Sequence, residues 1–150
     1  MEVQSQTQTI LIPGGLGYIG SHTVIELVEA LVHKKTKLPG SQYKVLIIDD
    51  LSNATSAVIP RINEIHKKSC PGETEDFFEF EKADIRNLGD LETIFQSKID
   101  KKEPINYIIH FAAKKPVGES MQIPLEYFDN NLVGSLNLLK CMEKCGCQNF

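Results

Sequence analysis

A strand, a glycine turn and a helix follow one another without a break near the start of this chain. Ile10–Ile12 is a short apolar run, Gly14, Gly15, Gly17 and Gly20 follow it, and apolar residues recur at helical spacing at Ile19, Val24, Leu27, Val28 and Leu31. Glycine lets the backbone come close to a phosphate group. The N-terminus of the helix offers N–H groups without intrahelical partners and the positive end of the helix dipole. The spacing Gly14-x-x-Gly17-x-x-Gly20 in this context predicts the pyrophosphate site of a dinucleotide, and with it an α/β fold.

The next strand supplies the acid such a site needs. Lys44–Ile48 reads as a fully buried parallel strand, and Asp49 stands at its C-terminal end, 29 residues after Gly20. There a carboxylate can accept hydrogen bonds from the hydroxyls of an adenosine ribose, usually about 20 residues after the glycines. The excess is assigned to a polar surface loop, His33–Gln42. Asp49 would repel a 2′-phosphate, and Asp50-Leu51-Ser52-Asn53 brings no cation, so the pattern favours NAD over NADP.

The alternation of strands and helices continues. Ser56–Ser69 reads as a helix with Val58, Ile62 and Ile65 on one face and Pro60 tolerated near its start. Cys70–Asp76 reads as a turn, Phe77–Lys82 as a strand, and Leu88–Ile99 as a helix with Leu91, Ile94 and Phe95 inward. Ile105–Phe111 is a further strand, and Pro124–Cys145 a long helix with Leu132, Leu136, Leu139 and Met142 inward. The fold class expected is α/β, a Rossmann-like doubly wound parallel sheet that is incomplete in this chain. Residues 1–8 read as a polar tail and 9–150 as the N-terminal part of the NAD-binding domain.

Composition narrows the partners. The net charge of −4 gives no basic field, so no nucleic acid is expected. No apolar run approaches the roughly 20 residues of a membrane span, and the polar start resembles no secretory signal, so no membrane and a cytoplasmic location are expected. Cys70, Cys141, Cys145 and Cys147 form no Cys-x-x-Cys pair, and no histidine stands at a ligand spacing from them. They read as reduced packing residues, with no metal expected.

The glycine spacing resembles the extended branch of the short-chain dehydrogenase/reductase superfamily, which acts on nucleotide sugars. His110-Phe-Ala-Ala-Lys-Lys115-Pro-Val-Gly-Glu-Ser120, followed by Pro124-Leu-Glu-Tyr-Phe-Asp-Asn130-Asn131, is similar to the corresponding stretch of the UDP-glucose 4-epimerase family. Related dehydratases carry a different stretch here. With Gly17-Tyr-Ile-Gly-Ser-His-Thr23 and Asp49-Asp-Leu-Ser-Asn53, the resemblance runs from about Thr9 to Phe150.

This resemblance implies roles for particular residues. Gly14, Gly17, Tyr18, Ile19 and Gly20 would surround the pyrophosphate. Asp49 would take the adenosine ribose, with Asp50, Asn53 and Ala54 lining that pocket, and Asp84 and Ile85 would flank the adenine. Phe111, Ala112 and Ala113 would run beneath the cofactor. Lys115 would reach the nicotinamide ribose and lie near the substrate, and Asn130 would contact the cofactor region. Pro13, Asp50, Ala113 and Lys114 depart from the family pattern, which usually has Thr, Asn, Gly and an apolar residue there.

The superfamily's catalytic pair is Tyr-x-x-x-Lys with a Ser or Thr upstream. None of Tyr18, Tyr43, Tyr107 and Tyr127 has Lys four residues on, so the catalytic groups are expected beyond Phe150 and this segment alone is expected to be inactive. The resemblance implies a parent enzyme that interconverts UDP-glucose and UDP-galactose, with NAD as cofactor, a UDP-hexose as substrate and a homodimer as the full-length form. The alternatives are a nucleotide-sugar 4,6-dehydratase or decarboxylase, or a non-catalytic NAD-sensing module.

Overall fold

The computed structural model describes residues 7–33, 42–71 and 78–150. Four parallel strands form one sheet in the order β3-β2-β1-β4: β1 is Thr7–Pro13, β2 Gln42–Asp49, β3 Phe78–Lys82 and β4 Ile105–Ile108. Helices α1 (Tyr18–Val32), α2 (Val58–Ser69) and α3 (Leu88–Asp100) alternate with them. Strand β1 begins earlier than the expected tail boundary, because Thr7 and Gln8 pair with Gln42 and Tyr43.

The continuous apolar runs of β1 and β2 are explained by burial on both faces of the sheet. Ile10, Ile12, Val45 and Ile47 pack with Val24 and Val28 of α1 and Ile62 of α2. Leu11, Leu46 and Ile48 pack on the other face with Leu91, Ile94 and Phe95 of α3 and with Leu138, Cys141 and Met142. This is the doubly wound arrangement expected from the sequence.

Several local expectations need correction. Helix α2 starts at Val58, and Ile65, expected inward, is exposed. The ladder of β4 ends at Ile108, yet the chain still follows β1: Ile109 N–H donates to Leu11 O at 2.9 Å, and the N–H groups of Phe111 and Ala112 both reach Pro13 O, at 2.8 and 2.9 Å. Pro13 has no N–H to donate, but its carbonyl is a double acceptor at the strand end. Most of the expected loop, at 34–41, and residues 72–77, with most of the Cys70–Asp76 turn and Phe77, lie outside the described residues.

The long helix expected over Pro124–Cys145 is present and unbroken, with a π-helical turn inside it and a short helix before it. Helices α4 (Val117–Gln122) and α5 (Pro124–Phe128) lead into a π-helical turn, Asp129–Val133, and then α6, Gly134–Cys145. Leu132, Leu136 and Leu139, expected inward, are 53%, 44% and 43% exposed. Met142, also expected inward, is buried, and it shares the buried face with Gly134, Asn137, Leu138 and Cys141. The close approach of α6 to the end of β3 decides this. A Cβ on Gly134 would stand 2.5 Å from Ile85 Cδ1, so any larger residue would have to push the buried Ile85 side chain aside. Asn137 Nδ2 donates to the carbonyls of Ile85 and Arg86, at 3.1 and 3.0 Å. Beyond α6, Ile108 N–H donates to Asn149 O at 2.9 Å, in a parallel bridge between Tyr107 and Asn149 on the free edge of β4.

Candidate functional site

A cleft of about 320 Å³ opens at the C-terminal ends of the strands, within the size range of small-molecule sites. The strand order reverses direction at β1, and in open α/β sheets ligands bind in the crevice at such a switch point. Every residue singled out from the sequence lines this cleft except Ala54, which packs half-buried against the core on the α1 and α2 face. Ile48, Ser52, Ala83, Lys114 and Pro116 line it too.

One wall is the glycine turn. Gly14 has φ +77°, and a Cβ there would stand 2.4 Å from Ala112 N. A Cβ on Gly20 would stand 2.2 Å from Gly14 O. Gly17 begins α1 with no side-chain cap, so the N–H groups of Tyr18, Ile19 and Gly20 have no intrahelical acceptor.

Asp49 is 6% exposed. Its Oδ2 accepts Leu16 N–H at 3.2 Å and its Oδ1 accepts Leu51 N–H at 3.0 Å, which leaves about one acceptor site on each oxygen. Burial raises its pKa, against the two backbone N–H groups, which lower it. Leu51 turns the chain with φ 62°, a left-handed conformation for a side chain that rarely adopts it. Asp50, the departure from the family pattern, is turned along its own loop: its Oδ1 accepts Ser52 N–H at 2.9 Å and Ser52 Oγ at 2.7 Å. The guanidinium of Arg86 is close enough to feel its charge.

Arg86 also grips Asp84. Its backbone N–H and Nε donate to Asp84 Oδ1 at 2.9 and 3.0 Å, and Nε and Nη2 donate to Oδ2 at 3.0 and 2.6 Å. The Arg86 hydrogen bonds hold the Asp84 carboxyl below its ordinary pKa. Across the cleft, the π turn buries Asn130, 7% exposed, and aims Asn131 at the loop after β4. Asn131 Oδ1 accepts Lys114 N–H and its Nδ2 donates to Lys114 O. Lys114 Nζ stands 3.5 Å from Glu126, and Lys115 is exposed at the rim. His110 Nε2 lies 3.0 Å from Ser135 Oγ, whose proton goes to Asn131 O at 2.7 Å, an arrangement in which Nε2 carries the proton and donates to the hydroxyl. Burial lowers the His110 pKa in agreement.

Sequence reasoning missed Arg86, Asn131 and Asn137. Each acts by hydrogen bonds to the backbone or side chain of a residue it did identify. Only their nearness in sequence to Asp84 and Asn130 could have flagged the first two. Among the described residues no cluster of metal-ligating side chains occurs, and the four cysteines are free. No helix of the described residues is long and apolar enough to cross a membrane.

Residues 11–150 match the family described as GDP-mannose 4,6 dehydratase. The chain belongs to this family. Among its curated relatives, UDP-glucose 4-epimerase 1 of Oryza sativa subsp. japonica is 38% identical over 145 residues, which is 97% of this chain and 35% of the relative. Among solved structures, a UDP-glucose 4-epimerase from Stenotrophomonas maltophila with bound NAD and formylated UDP-arabinopyranose is 36% identical with a TM-score of 0.71, over 94% of this chain and 35% of that one. The Bifidobacterium longum enzyme, in complex with NAD⁺ and UDP, is 31% identical with a TM-score of 0.71, over the same shares. The chain thus spans about a third of the length of these relatives.

Proposed function

We propose that this chain is the cofactor-binding part of an NAD-dependent enzyme that interconverts UDP-glucose and UDP-galactose. One observation carries the reading: a single cleft gathers the glycine turn, the strand-end acid Asp49 and the Lys115–Asn130 segment, in a chain 38% identical to a UDP-glucose 4-epimerase.

The residues present fit a dinucleotide. The uncapped start of α1 suits a pyrophosphate, and Gly14 and Gly20 let the turn before it close against its own backbone and that of Ala112. The two remaining acceptor sites of Asp49 suit the two hydroxyls of a ribose. Phe111, Ala112 and Ala113 line the cleft and would run beneath the cofactor, and Lys115, exposed at the rim, would reach the nicotinamide ribose and the substrate. When bound, NAD supplies a reversible two-electron oxidant for the sugar carbinol and ends as it began. The protein's part is to hold and orient it, and the catalytic Tyr-x-x-x-Lys pair, with its Ser or Thr, is no part of these residues. The exposed apolar stripe of Leu132, Leu136 and Leu139 supports a homodimer of the full-length protein.

The test is incubation of the full-length protein with UDP-galactose and no added reductant. UDP-glucose is the expected product. A 4-keto-6-deoxy sugar nucleotide would move the reading to the dehydratase named in the family description. NAD bound without any product would leave a non-catalytic binding module.

A further inference from the structure

We propose that Tyr127 is a positioning residue: its hydroxyl, together with the Asn131 amide, holds Lys115 between two backbone anchors, so that the lysine is set in place for the bound dinucleotide. This rests on the reading above, in which the cleft takes NAD and Lys115 reaches the nicotinamide ribose.

Lys115 lines the cleft from a stretch without regular secondary structure, between the end of β4 and α4. A long, exposed side chain loses rotamer freedom when it engages a ligand, and a backbone that must be ordered at the same time adds to that loss. Here the backbone is ordered beforehand. On one side of Lys115, the N–H and carbonyl of Lys114 are held by Asn131 at 2.8 and 2.9 Å. On the other side stands Pro116, which has no N–H, so its carbonyl is the one backbone group by which it can be held. That carbonyl accepts the Tyr127 hydroxyl at 2.8 Å and Ser120 N–H at 3.1 Å.

The Tyr127 hydroxyl also lies 2.6 Å from Glu119 Oε2. A carbonyl and an ionised carboxylate only accept, so the single phenolic proton is shared between Pro116 and Glu119 and ties the loop to α4. Desolvation and the hydrogen bond to Glu119 push the Tyr127 pKa up to about 12, which keeps that proton in place at neutral pH. Both anchors come from one continuous helical segment, Tyr127 from α5 and Asn131 from the π turn that follows it. A third tie from the same segment is Glu126, 3.5 Å from Lys114 Nζ. Neither hydrogen bond of the Tyr127 hydroxyl goes to the sheet. Removing the hydroxyl therefore leaves the core as it is and frees the loop that carries Lys115.

The test is a double-mutant cycle on NAD affinity, measured by titration of the full-length protein freed of endogenous nucleotide, with wild type, Y127F, K115M and the double variant. Y127F keeps the ring and removes one oxygen. It should weaken NAD about three- to tenfold when Lys115 is present, the range of one hydrogen bond, and less than about twofold when Met stands at that position. N131A should show the same dependence on Lys115. A merely structural role costs the same factor in both backgrounds, whereas a role exercised through Lys115 gives coupling. Equal losses in both backgrounds, or no loss in Y127F, overturn the inference while NAD binding stands. K115M with unchanged NAD affinity overturns the role given to Lys115, and the inference with it. Failure of wild type to bind NAD overturns the functional reading itself.

Discussion

The side-chain amide of Asn131 holds the backbone of Lys114 from both ends, accepting its N–H at 2.8 Å and donating to its carbonyl at 2.9 Å. The π turn makes this possible, since its extra residue turns Asn130 toward the cleft and Asn131 toward the loop. Replacing Asn131 by Ala leaves both backbone groups without their partner and loosens the loop that carries Lys115. The expected cost is roughly 2 kcal/mol in urea unfolding. Asn131→Asp keeps the acceptor but sets a carboxylate against the Lys114 carbonyl, so it should be no better than Ala. Stability of N131D equal to wild type would refute the two-ended hold.

The glycines of the cleft differ in what they tolerate. Gly20→Ala puts a methyl group 2.2 Å from the Gly14 carbonyl oxygen, a contact that backbone must move to relieve. Its NAD affinity should fall by at least about a hundredfold, the equivalent of ~2.7 kcal/mol. Gly17→Ala meets the same oxygen only at 3.3 Å and should lose far less. Gly118, in α4, has nothing within 4 Å of a Cβ, and Gly118→Ala should raise the stability by about 0.5–1 kcal/mol. Calorimetric titration and thermal melts of the three variants would rank them, and a Gly17→Ala protein as impaired as Gly20→Ala would contradict the geometry.

What the sequence revealed and what it concealed follow one physical line. Gly14, Gly20 and Asp49 were legible because each sits next to a strand end, where local pattern and spacing suffice. Leu132, Leu136 and Leu139 misled because they form a regular apolar stripe, and periodicity cannot say which of two stripes on a helix meets the sheet. The deciding residues are Gly134 and Asn137, one too small and one too polar to read as core. They are buried because α6 crosses close against the Ile85 side chain, which a Cβ at Gly134 would displace, and leaves two carbonyls needing a donor. Arg86 escaped notice for a similar reason, since an arginine in a short loop reads as solvated surface until its acid partner is located.

Acid should weaken the protein through two carboxylates in particular. Arg86 hydrogen bonds hold Asp84 below its ordinary pKa, and Lys44 does the same for Glu103. A depressed folded-state pKa contributes stability that is fully present above the unfolded value, about 4, and lost as pH falls through the folded one. Asp49 acts in the opposite sense, because its pKa is raised and protonation relieves the cost of its burial. Chemical unfolding from pH 6 down to pH 3 should show a decline that steepens below about pH 4. Asp84→Asn should lower stability at neutral pH and flatten that decline; an equally steep decline in the variant would mean that the Asp84–Arg86 pair contributes nothing to it.

The last prediction concerns the far end of the sheet, where four charges alternate in sign. Lys98 Nζ, with only 1% of its side chain exposed, lies 2.8 Å from Glu79 and 3.6 Å from Glu103, while Lys44 Nζ lies 2.7 Å from Glu103 and 3.9 Å from Glu79. The acids are 34% and 17% exposed, so the burden of burial falls on the lysine. Removing both acids strands a buried cation, and Glu79→Gln with Glu103→Gln should cost about 3–5 kcal/mol. Lys98→Met fills the same space without charge and leaves both acids with water and Lys44. It should cost less than about 2 kcal/mol, as expected when an apolar side chain replaces a buried ion. Urea unfolding at neutral pH and moderate salt separates the two cases: if Lys98→Met proves the more damaging, the lysine is held for its charge and not merely tolerated because it is paired.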